Sequence, residues 1–581
     1  MRRPTAILWV SGIVSWAFSL VVTGYNAGAS NKSIQLALVH LLREPSLYPH
    51  DPVRDTLYSY VSALWWLIAW LPASVPVDLA EGAFFLLTRA ILIYSAYRLA
   101  RALAPDSLLA QVSGMCLVGL VPHPQLGGGM IVESYFEQTG TAIPFILLAT
   151  AAFLEKRFYH AAIWLGIAFN ITLIYASFTL VYLGAAVFVH PQWRSQWKEL
   201  LKSLVLFGVC TIPTWAIVAQ HFSPSVFDVD LWYQVQRVRS PFHLFPLYFS
   251  LLSWAKYLVS VMFSLIILTI VGKYQPLWRQ FGFVWTFASM FFVVWAFVPA
   301  YLLKSPLLLV MQTARATDVW ACLVGVLTAV GTAYLVERSL ASSSVKDSLV
   351  HVFLWILCLN LWSFKSHLLA FPKMASMVVG GAGVLFVLRR YNRDAVSILL
   401  SISMVAMSLV ALWRNPPDRK FYKDAPIFPV AQWAKQHTPR DAVFLIPPGS
   451  QDAWPLFRAL SERSVFVTWK DGTNVFFAPG YTEHWVERIA CLGFDIRQHR
   501  LGWRQRSPVD ASNINQLYLR LSDERVRDLA ARYGIDYWVV PTEKPSRFPV
   551  VFSDGRWKVL QVRTPATSTI PTSQPSRESH R

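Results

Sequence analysis

Two aspartates in the first long hydrophilic segment could do acid–base chemistry. Asp51 lies between Pro49 and Pro52, and Asp55 follows four residues later. Because proline fixes a backbone dihedral angle, the two prolines would hold the Asp51 carboxylate in a defined position. A carboxylate held in this way suits a general base or a ligand for a hard cation. The alternative is an aspartate that only makes a turn before a helix.

Two glutamates in the second hydrophilic segment form another acidic pair. Glu133 and Glu137 follow a run of three glycines, and their spacing places them on one face if the segment is helical. Carboxylates at the end of a membrane span need water, a cation or a basic partner, because an unpaired charge in hydrocarbon is costly. The pair therefore predicts a catalytic or metal-binding site, with a solvated helix start as the alternative.

Basic residues in the next two hydrophilic segments are candidates for binding a charged headgroup. Arg237, Arg239 and His243 lie in one segment, and Arg315 lies in the next. Guanidinium groups bind phosphate oxygens through two parallel hydrogen bonds. The pattern predicts recognition of a phosphate or pyrophosphate group, and anchoring to ordinary phospholipids is the alternative.

Arg89 differs from these residues because it lies inside an apolar run. A cation within a membrane span is costly without a partner, so a buried partner or a polar cavity is expected around it. Helix packing through a polar pair is the alternative to a functional role.

Composition identifies the elements that must position these residues. Of 581 residues, 55% are hydrophobic and only 15% are charged, against about 25% charged residues in soluble proteins. The chain is therefore predicted to be an α-helical polytopic membrane protein. The formal charge of +19 does not indicate a nucleic-acid partner, because many lysines and arginines lie between apolar runs. The sequence contains no P-loop, HExxH, GxSxG or paired CxxC motif.

The apolar runs predict about thirteen transmembrane helices and three regions. Residues 1–414 form the transmembrane region, residues 415–563 an α/β domain, and residues 564–581 a disordered tail rich in Ser, Thr and Pro. The predicted spans lie near residues 5–24, 79–97, 107–121, 139–154, 158–174, 176–189, 203–219, 248–272, 280–303, 318–335, 347–363, 368–388 and 394–413.

Alternate connections between the spans differ in their content of lysine and arginine. The short connections are much richer in basic residues than the long ones, which contain the acidic and arginine segments described above. By the positive-inside rule the long connections face outward, and an odd number of spans puts the C-terminal domain on the same side. The sequence thus predicts a multi-pass protein of the inner cell membrane with an extracytoplasmic C-terminal domain. Residues 34–42 and the Trp65–Trp70 stretch are predicted to lie at the membrane interface.

The region after residue 414 has the composition of a globular domain. Its predicted strands are Val443–Ile446, Val465–Trp469, Tyr537–Val540 and Trp557–Val562, and its predicted helices are Pro429–Gln436 and Asp523–Tyr533.

The arrangement of these segments resembles the GT-C superfamily of membrane glycosyltransferases. The resemblance rests on one N-terminal span followed by a long acidic loop, a second acidic loop, many further spans and a terminal α/β domain. It implies transfer of a sugar from a polyprenyl-phosphate donor to an envelope acceptor at the outer leaflet. In that case Asp51, with Asp55, would activate the acceptor, and Glu133 and Glu137 would bind a divalent cation (Mg or Mn) or orient the sugar. The resemblance further implies that the residues neutralising the leaving phosphate are among Arg237, Arg239, His243 and Arg315.

Two other functions fit the sequence. A lipid or solute transporter, or a flippase, would use Arg89 and aromatic spans to line a path, although no internal repeat of the kind common in transporters is present. A non-enzymatic envelope assembly protein would use the α/β domain to bind a partner. If the protein is a glycosyltransferase, the expected partners are a lipid-linked sugar donor and membrane lipids, and the sequence determines no oligomeric state.

Overall fold

The computed structural model describes residues 3–28, 31–119, 126–127, 131–221, 226–340, 345–362, 405–406, 409, 419–499, 501–502 and 504–563. The predicted spans near 368–388 and 394–413 lie almost wholly outside the described residues, and the predicted tail, 564–581, lies wholly outside them.

The described part of the membrane region is helical apart from its connections. Each of the eleven predicted spans before residue 364 overlaps a helix or a bent pair of helices. The helices are α1 (Arg3–Thr23), α2 (Lys32–Arg43), α3 (Arg54–Leu57), α4 (Ala63–Ala69), α5 (Val77–Leu103), α6 (Leu108–Gly119), α7 (Gln138–Leu154), α8 (Phe158–Ile171), α9 (Leu173–Val189), α10 (Pro191–Arg194), α11 (Trp197–Cys210), α12 (Ile212–His221), α13 (Val229–Arg239), α14 (Pro241–Leu244), α15 (Leu251–Val271), α16 (Pro276–Trp295), α17 (Pro306–Val310), α18 (Ala316–Leu340) and α19 (Val345–Leu361).

Several of these helices are long and apolar enough to cross a membrane. Among the described residues there are five such segments, or six if α11 and α12, which meet at a bend of 44°, form one span. The other apolar helices are shorter, with 10–17 residues each. The prediction of a polytopic helical membrane protein is confirmed, whereas the number of thirteen spans stays a prediction. At the centre of the bundle lies α18, whose residues from Val319 to Val330 are almost wholly buried.

The first long connection folds differently from its prediction. Helix α2 was expected at the membrane interface, but Leu38, Val39 and Leu41 have no exposed surface, so this expectation is wrong. The helix packs against α4 and against α21 (Phe457–Ser461) of the C-terminal domain, and its apolar side chains are covered by protein rather than lipid. In the Trp65–Trp70 stretch, Trp65 is buried and donates to Gln138 Oε1 at 3.1 Å.

The C-terminal domain contains a five-stranded mixed sheet, which confirms the predicted α/β fold. Its strand order is β4-β3-β5-β7-β6, where β4, β3 and β5 are parallel and β7 is antiparallel to both β5 and β6. The sequence missed β6. The strands are β3 (Val443–Leu445), β4 (Ser464–Val465), β5 (Tyr537–Pro541), β6 (Val550–Ser553) and β7 (Trp557–Gln561), and the helices besides α21 are α20 (Phe428–His437), α22 (Asn474–Phe477), α23 (Thr482–Cys491), α24 (Ile514–Tyr518) and α25 (Asp523–Tyr533).

The C-terminal domain docks on one end of the helical bundle, which we call the domain side. A short parallel pair, β1 (Tyr25–Asn26) with β2 (Arg419–Lys420), joins the first connection to the start of the domain. In the third long connection, Trp232 Nε1 donates to Val475 O at 2.9 Å. The first and third long connections thus lie on the same side as the domain, as their predicted common orientation requires.

Candidate active site

Asp51 is buried at the contact between the first connection and the C-terminal domain. Its Oδ2 accepts from Arg458 Nε at 2.6 Å and from the Val465 backbone N–H at 2.9 Å, while Oδ1 accepts from the Val53 N–H at 3.0 Å. Arg458 also donates to both oxygens of Asp471, at 2.8 and 3.0 Å. Both oxygens of Asp51 are occupied by protein donors, so in this geometry the carboxylate fixes the loop against the domain.

Asp55 lies apart from this contact. Its side chain is 84% exposed and pairs with the neighbouring Arg54 at 3.2 Å. Exposed ion pairs of this kind contribute little to stability. The two aspartates are therefore not brought together into one site.

Glu133 and Glu137 line one small cavity. The segment before α7 is not helical, so the condition under which the two glutamates would share a helix face is not met. Glu137 instead caps α7, where its carboxylate accepts from the Thr139 N–H at 2.7 Å and from Thr139 Oγ1 at 3.2 Å. The cavity measures about 20 Å³, little more than the space one water needs.

The Glu133 side chain holds its proton unusually tightly. Burial, reinforced by the nearby Glu137 carboxylate, raises the pKa of Glu133 to about 8, against opposing effects of Arg315 and Arg89. A carboxyl group that titrates near neutral pH can accept or donate a proton during a reaction.

Arg89 has the buried partner that its position in a span predicts. Its guanidinium donates to the backbone carbonyl of Glu133 and lies 4.9 Å from the centre of the Phe85 ring. Arg89 also lines the glutamate cavity. Through this hydrogen bond Arg89 holds the backbone at Glu133 in place.

Arg315 is a second cation whose charge acts on the glutamates. Its Nε is 3.6 Å from Asp318 Oδ2, its guanidinium lies 5.3 Å from the Tyr175 ring, and the Tyr175 hydroxyl donates to Asp318. Arg315 Nε and Asp318 Oδ1 are buried without a hydrogen-bond partner. Buried polar atoms are nearly always satisfied, so these two atoms mark a place for a ligand or water.

Gly127 fixes the position of Arg315. This glycine has a φ of +85°, and a Cβ added to it would lie 3.1 Å from Arg315 Cγ. Its carbonyl accepts from His243 Nδ1 at 2.6 Å, so Nδ1 carries the proton. Burial and the charge of Arg315 lower the pKa of His243 to about 3, and the imidazole is neutral. The neutral ring adds no positive charge of its own to the cluster.

The two remaining arginines contact the C-terminal domain. Arg237 donates to Leu501 O at 3.0 Å, while Arg239 donates to Trp469 O at 2.8 Å and to Thr473 Oγ1 at 2.9 Å. Of the four predicted headgroup ligands, Arg315 is the one whose charge lowers the pKa of Glu133. Arg237 contributes mainly to the contact between α13 and the domain.

Some buried charges at the domain side were missed by sequence reasoning. Lys32 Nζ lies 2.8 Å from Glu81 Oε1 with both side chains fully buried, and Tyr422 donates to Glu81 Oε2 at 2.7 Å. Burial lowers the pKa of Lys32, although Glu81 opposes the shift. The sequence does contain a signal that could have found them. Glu81 and Asp318, like Arg89, are charged residues within apolar runs.

The side chains around the glutamates favour charge neutralisation by arginine over the binding of a metal ion. No group of three or more His, Cys, Asp or Glu side chains able to hold a metal occurs among the residues that the structure describes. Glu137 is already occupied as a helix cap, and Arg89 and Arg315 supply positive charge nearby. Hard divalent cations prefer about six or more oxygen ligands, which this set does not provide.

Comparisons with known proteins found a matching family model and a similar solved structure. A family model described as a domain of unknown function, DUF6798, matches residues 425–492, a segment that contains Arg458 and Asp471. No curated protein matches the chain. Among solved structures the chain is similar to the crystal structure of ArnT from Cupriavidus metallidurans in the apo state, with 12% identity and a TM-score of 0.37, over 96% of this chain and 98% of that one.

Proposed function

We propose that this protein is a membrane glycosyltransferase of the GT-C type, which transfers a sugar from a polyprenyl-phosphate donor to an envelope acceptor at the outer leaflet. The observation that carries the proposal is the ionic cluster at the domain side. There Glu133, with its raised pKa, shares a buried environment with Arg315. A proton acceptor beside a buried cation is what transfer from a glycosyl phosphate requires.

In the proposed reaction, the acceptor hydroxyl oxygen attacks the anomeric carbon of the donor sugar. The bond between that carbon and the phosphate oxygen breaks, and the phosphate leaves with the electron pair. Glu133 takes the hydroxyl proton, and Arg315 neutralises the charge that develops on the phosphate. Interactions that strengthen as this charge develops lower the barrier to reaction. Arg315 Nε, which lies 3.6 Å from Asp318 Oδ2 but has no hydrogen-bond partner, is available for such a contact.

This assignment moves the base from Asp51 to Glu133. The Asp51 carboxylate already accepts hydrogen bonds at both oxygens, whereas Glu133 lines a cavity. We assign Asp51 the role of a positioning residue, which holds the first connection under the domain. Asp55 and a divalent cation between the glutamates stay predictions of the sequence, and neither is needed for the proposed reaction.

The proposed location follows the charge asymmetry of the connections. The domain side would face outward from the inner membrane, because the connections on the opposite side are rich in lysine and arginine. Cysteine labelling of single-cysteine variants in intact cells would test this orientation. Labelling of the domain from the cytoplasmic side alone would contradict it.

The test uses the full-length protein purified in detergent, as wild type and as Glu133→Gln. Glutamine keeps the shape of the side chain but takes no proton, so we expect transfer to fall about 10²–10⁴-fold. Lipids extracted from the purified proteins are identified by mass spectrometry, and Glu133→Gln should retain more lipid-linked sugar because it does not consume the donor. Glu543→Gln, an exposed residue of the same domain side, is the matched control.

Two results would contradict the proposal. One is that neither protein retains any lipid-linked sugar after a polyprenyl-phosphate-linked sugar has been supplied. The other is full transfer activity by Glu133→Gln under conditions in which Glu543→Gln is also fully active.

A further inference from the structure

A second cavity lies between the first connection and the C-terminal domain. It has a volume of about 220 Å³, several times the share of one liquid water (about 30 Å³) and near the lower limit of small-molecule sites. Its walls include Gly28 and Ser33 of the first connection, Arg239 of α13, and Ser450, Trp469 and Lys470 of the domain. It is therefore enclosed by three separate segments of the chain.

The charge of the cavity is one-sided. Lys470 and Arg239 both line it, and no acidic side chain is among the described residues of its wall. Asp452 and Asp471, which adjoin wall residues in the sequence, each pair elsewhere. Asp452 pairs with Arg556 at 2.6 Å, and Asp471, whose charge also acts on Arg239, accepts from Arg458 at 2.8 and 3.0 Å. Two cations that face a common cavity repel each other unless an anion lies between them.

Lys470 is incompletely satisfied in this position. Its ammonium group has three donors, and one of them reaches Asn31 Oδ1 at 2.7 Å. Burial and the charge of Arg239 lower the pKa of Lys470 to about 7, and only the more distant Glu137 opposes this effect. An anion in the cavity would restore the proton and accept the remaining donors.

The wall of the cavity lies outside the segments that could span a membrane. None of its wall residues belongs to a helix that is long and apolar enough to span a membrane. A long polyprenyl chain would have to stay among the spans, so a lipid-anchored group is not the ligand that this position favours.

The wall also contains Ala453, whose φ of +65° is an unusual conformation for a residue with a Cβ and is often found where a ligand binds.

We propose that this cavity binds a small water-soluble anion that carries a phosphate, sulfate or carboxylate group, held by Lys470 and Arg239. The site is separate from the glutamate cavity, and the inference does not depend on the proposed transferase activity. Because the three wall segments are far apart in sequence, the bound anion would also strengthen the docking of the domain.

The test measures binding of sulfate to the full-length protein in nanodiscs of phosphatidylcholine. Sulfate keeps its charge over the pH range used, so changes in affinity report on the protein. We expect sulfate to raise the unfolding temperature, and Lys470→Met to weaken sulfate binding about tenfold or more, because a charge-assisted hydrogen bond is lost. Lys423→Met, an exposed lysine of the same domain, is the matched control and should bind sulfate like the wild type.

A second measurement applies even if Lys470→Met does not fold. Sulfate affinity of the wild type should fall as the pH rises through about 7, because Lys470 then loses its proton. Equal affinity in Lys470→Met and Lys423→Met, or an affinity that does not change with pH, would overturn the inference. Displacement of sulfate by nanodiscs containing phosphatidylglycerol would show that the ligand is a lipid headgroup and would also overturn it. Neither result bears on Glu133→Gln, so this inference and the proposed function can fail separately.

Discussion

The domain side contains two buried clusters of carboxylates and arginines that differ in how completely they are satisfied. In the first, Arg458 joins Asp51 and Asp471, and the oxygens of both carboxylates have protein donors. In the second, the charge of Arg315 acts on Asp318 and Glu133, and two buried atoms, Arg315 Nε and Asp318 Oδ1, have no hydrogen-bond partner. The same residue types thus build a closed contact in one place and an incomplete one in the other.

This difference separates a structural role from a chemical one. A buried ion pair whose lone pairs are all occupied has nothing left to offer a substrate, and removing one partner leaves an uncompensated charge. A cluster with unpaired donors and a carboxyl group of raised pKa keeps capacity for a ligand and for a proton. We therefore expect substitutions in the first cluster to change stability and substitutions in the second to change activity.

Among substitutions of the arginines in the two clusters, the largest effect on transfer is expected for Arg315→Lys. Lysine keeps the charge but loses the planar fork, so transfer should fall about 10²–10³-fold with little change in unfolding temperature. Transfer from co-purified donor and thermal unfolding are measured on the same sample. Arg458→Lys is the matched variant and should mainly lower the unfolding temperature. An identical pattern for both variants would remove the distinction between the clusters.

Asp51→Asn should destabilise the protein by about 1–3 kcal/mol, because Arg458 loses a charged partner while keeping Asp471. Limited proteolysis of the first connection and denaturant unfolding would detect this loss. If Asp51→Asn instead abolished transfer at an unchanged stability, the catalytic role predicted from the sequence would be restored.

The pH dependence should report on Glu133. Its folded pKa of about 8 lies above the ordinary value of 4.5, so activity that needs the ionised carboxylate should rise about tenfold per pH unit below pH 8. The folded state binds this proton more tightly than the unfolded state. The resulting stability is complete below about pH 4.5 and is lost as the pH rises through 8. Glu133→Gln should therefore gain in unfolding temperature relative to wild type at high pH, and a constant difference would contradict the shift.

The smallest effect is expected for Gly127→Ala. The added Cβ would press on Arg315, and we expect transfer to fall several-fold as the guanidinium moves by a few tenths of an ångström. Gly555→Ala is a close control, because Gly555 has a similar φ of +89° but no atom within 4 Å of the added Cβ. Both variants bear the backbone cost, and only Gly127→Ala should lose activity. Equal activity in the two variants would indicate that Arg315 tolerates displacement.

Local patterns were sufficient to predict most of the fold. Apolar runs predicted helices such as α5 and α18, and β-branched and aromatic runs predicted β3, β5 and β7, because these signals depend on neighbouring residues. Strand β6 was missed because three of its four residues are exposed and give no alternation. Helix α2 was misplaced because its apolar face fits a membrane surface as well as a protein surface, and only a distant segment decides between them.

The candidate site was predictable in its residue types but not in its pairings. Glu133, Glu137 and Arg315 were found because charges near apolar runs are rare. That Asp51 would be saturated by Arg458 depends on a contact across 407 residues of sequence. That Arg315 Nε would be left without a hydrogen-bond partner depends on the packing in three dimensions. No local pattern contains that information.

The long separation between Asp51 and Arg458 has a consequence for biosynthesis. At about 5–20 residues per second, a ribosome needs roughly 20–80 s to extend the chain over the 407 positions from Asp51 to Arg458. During that time α2 has been made, but the helix that covers it has not. The nascent protein must shelter this apolar surface until translation is nearly complete, so the first connection acquires its native packing among the last parts of the molecule.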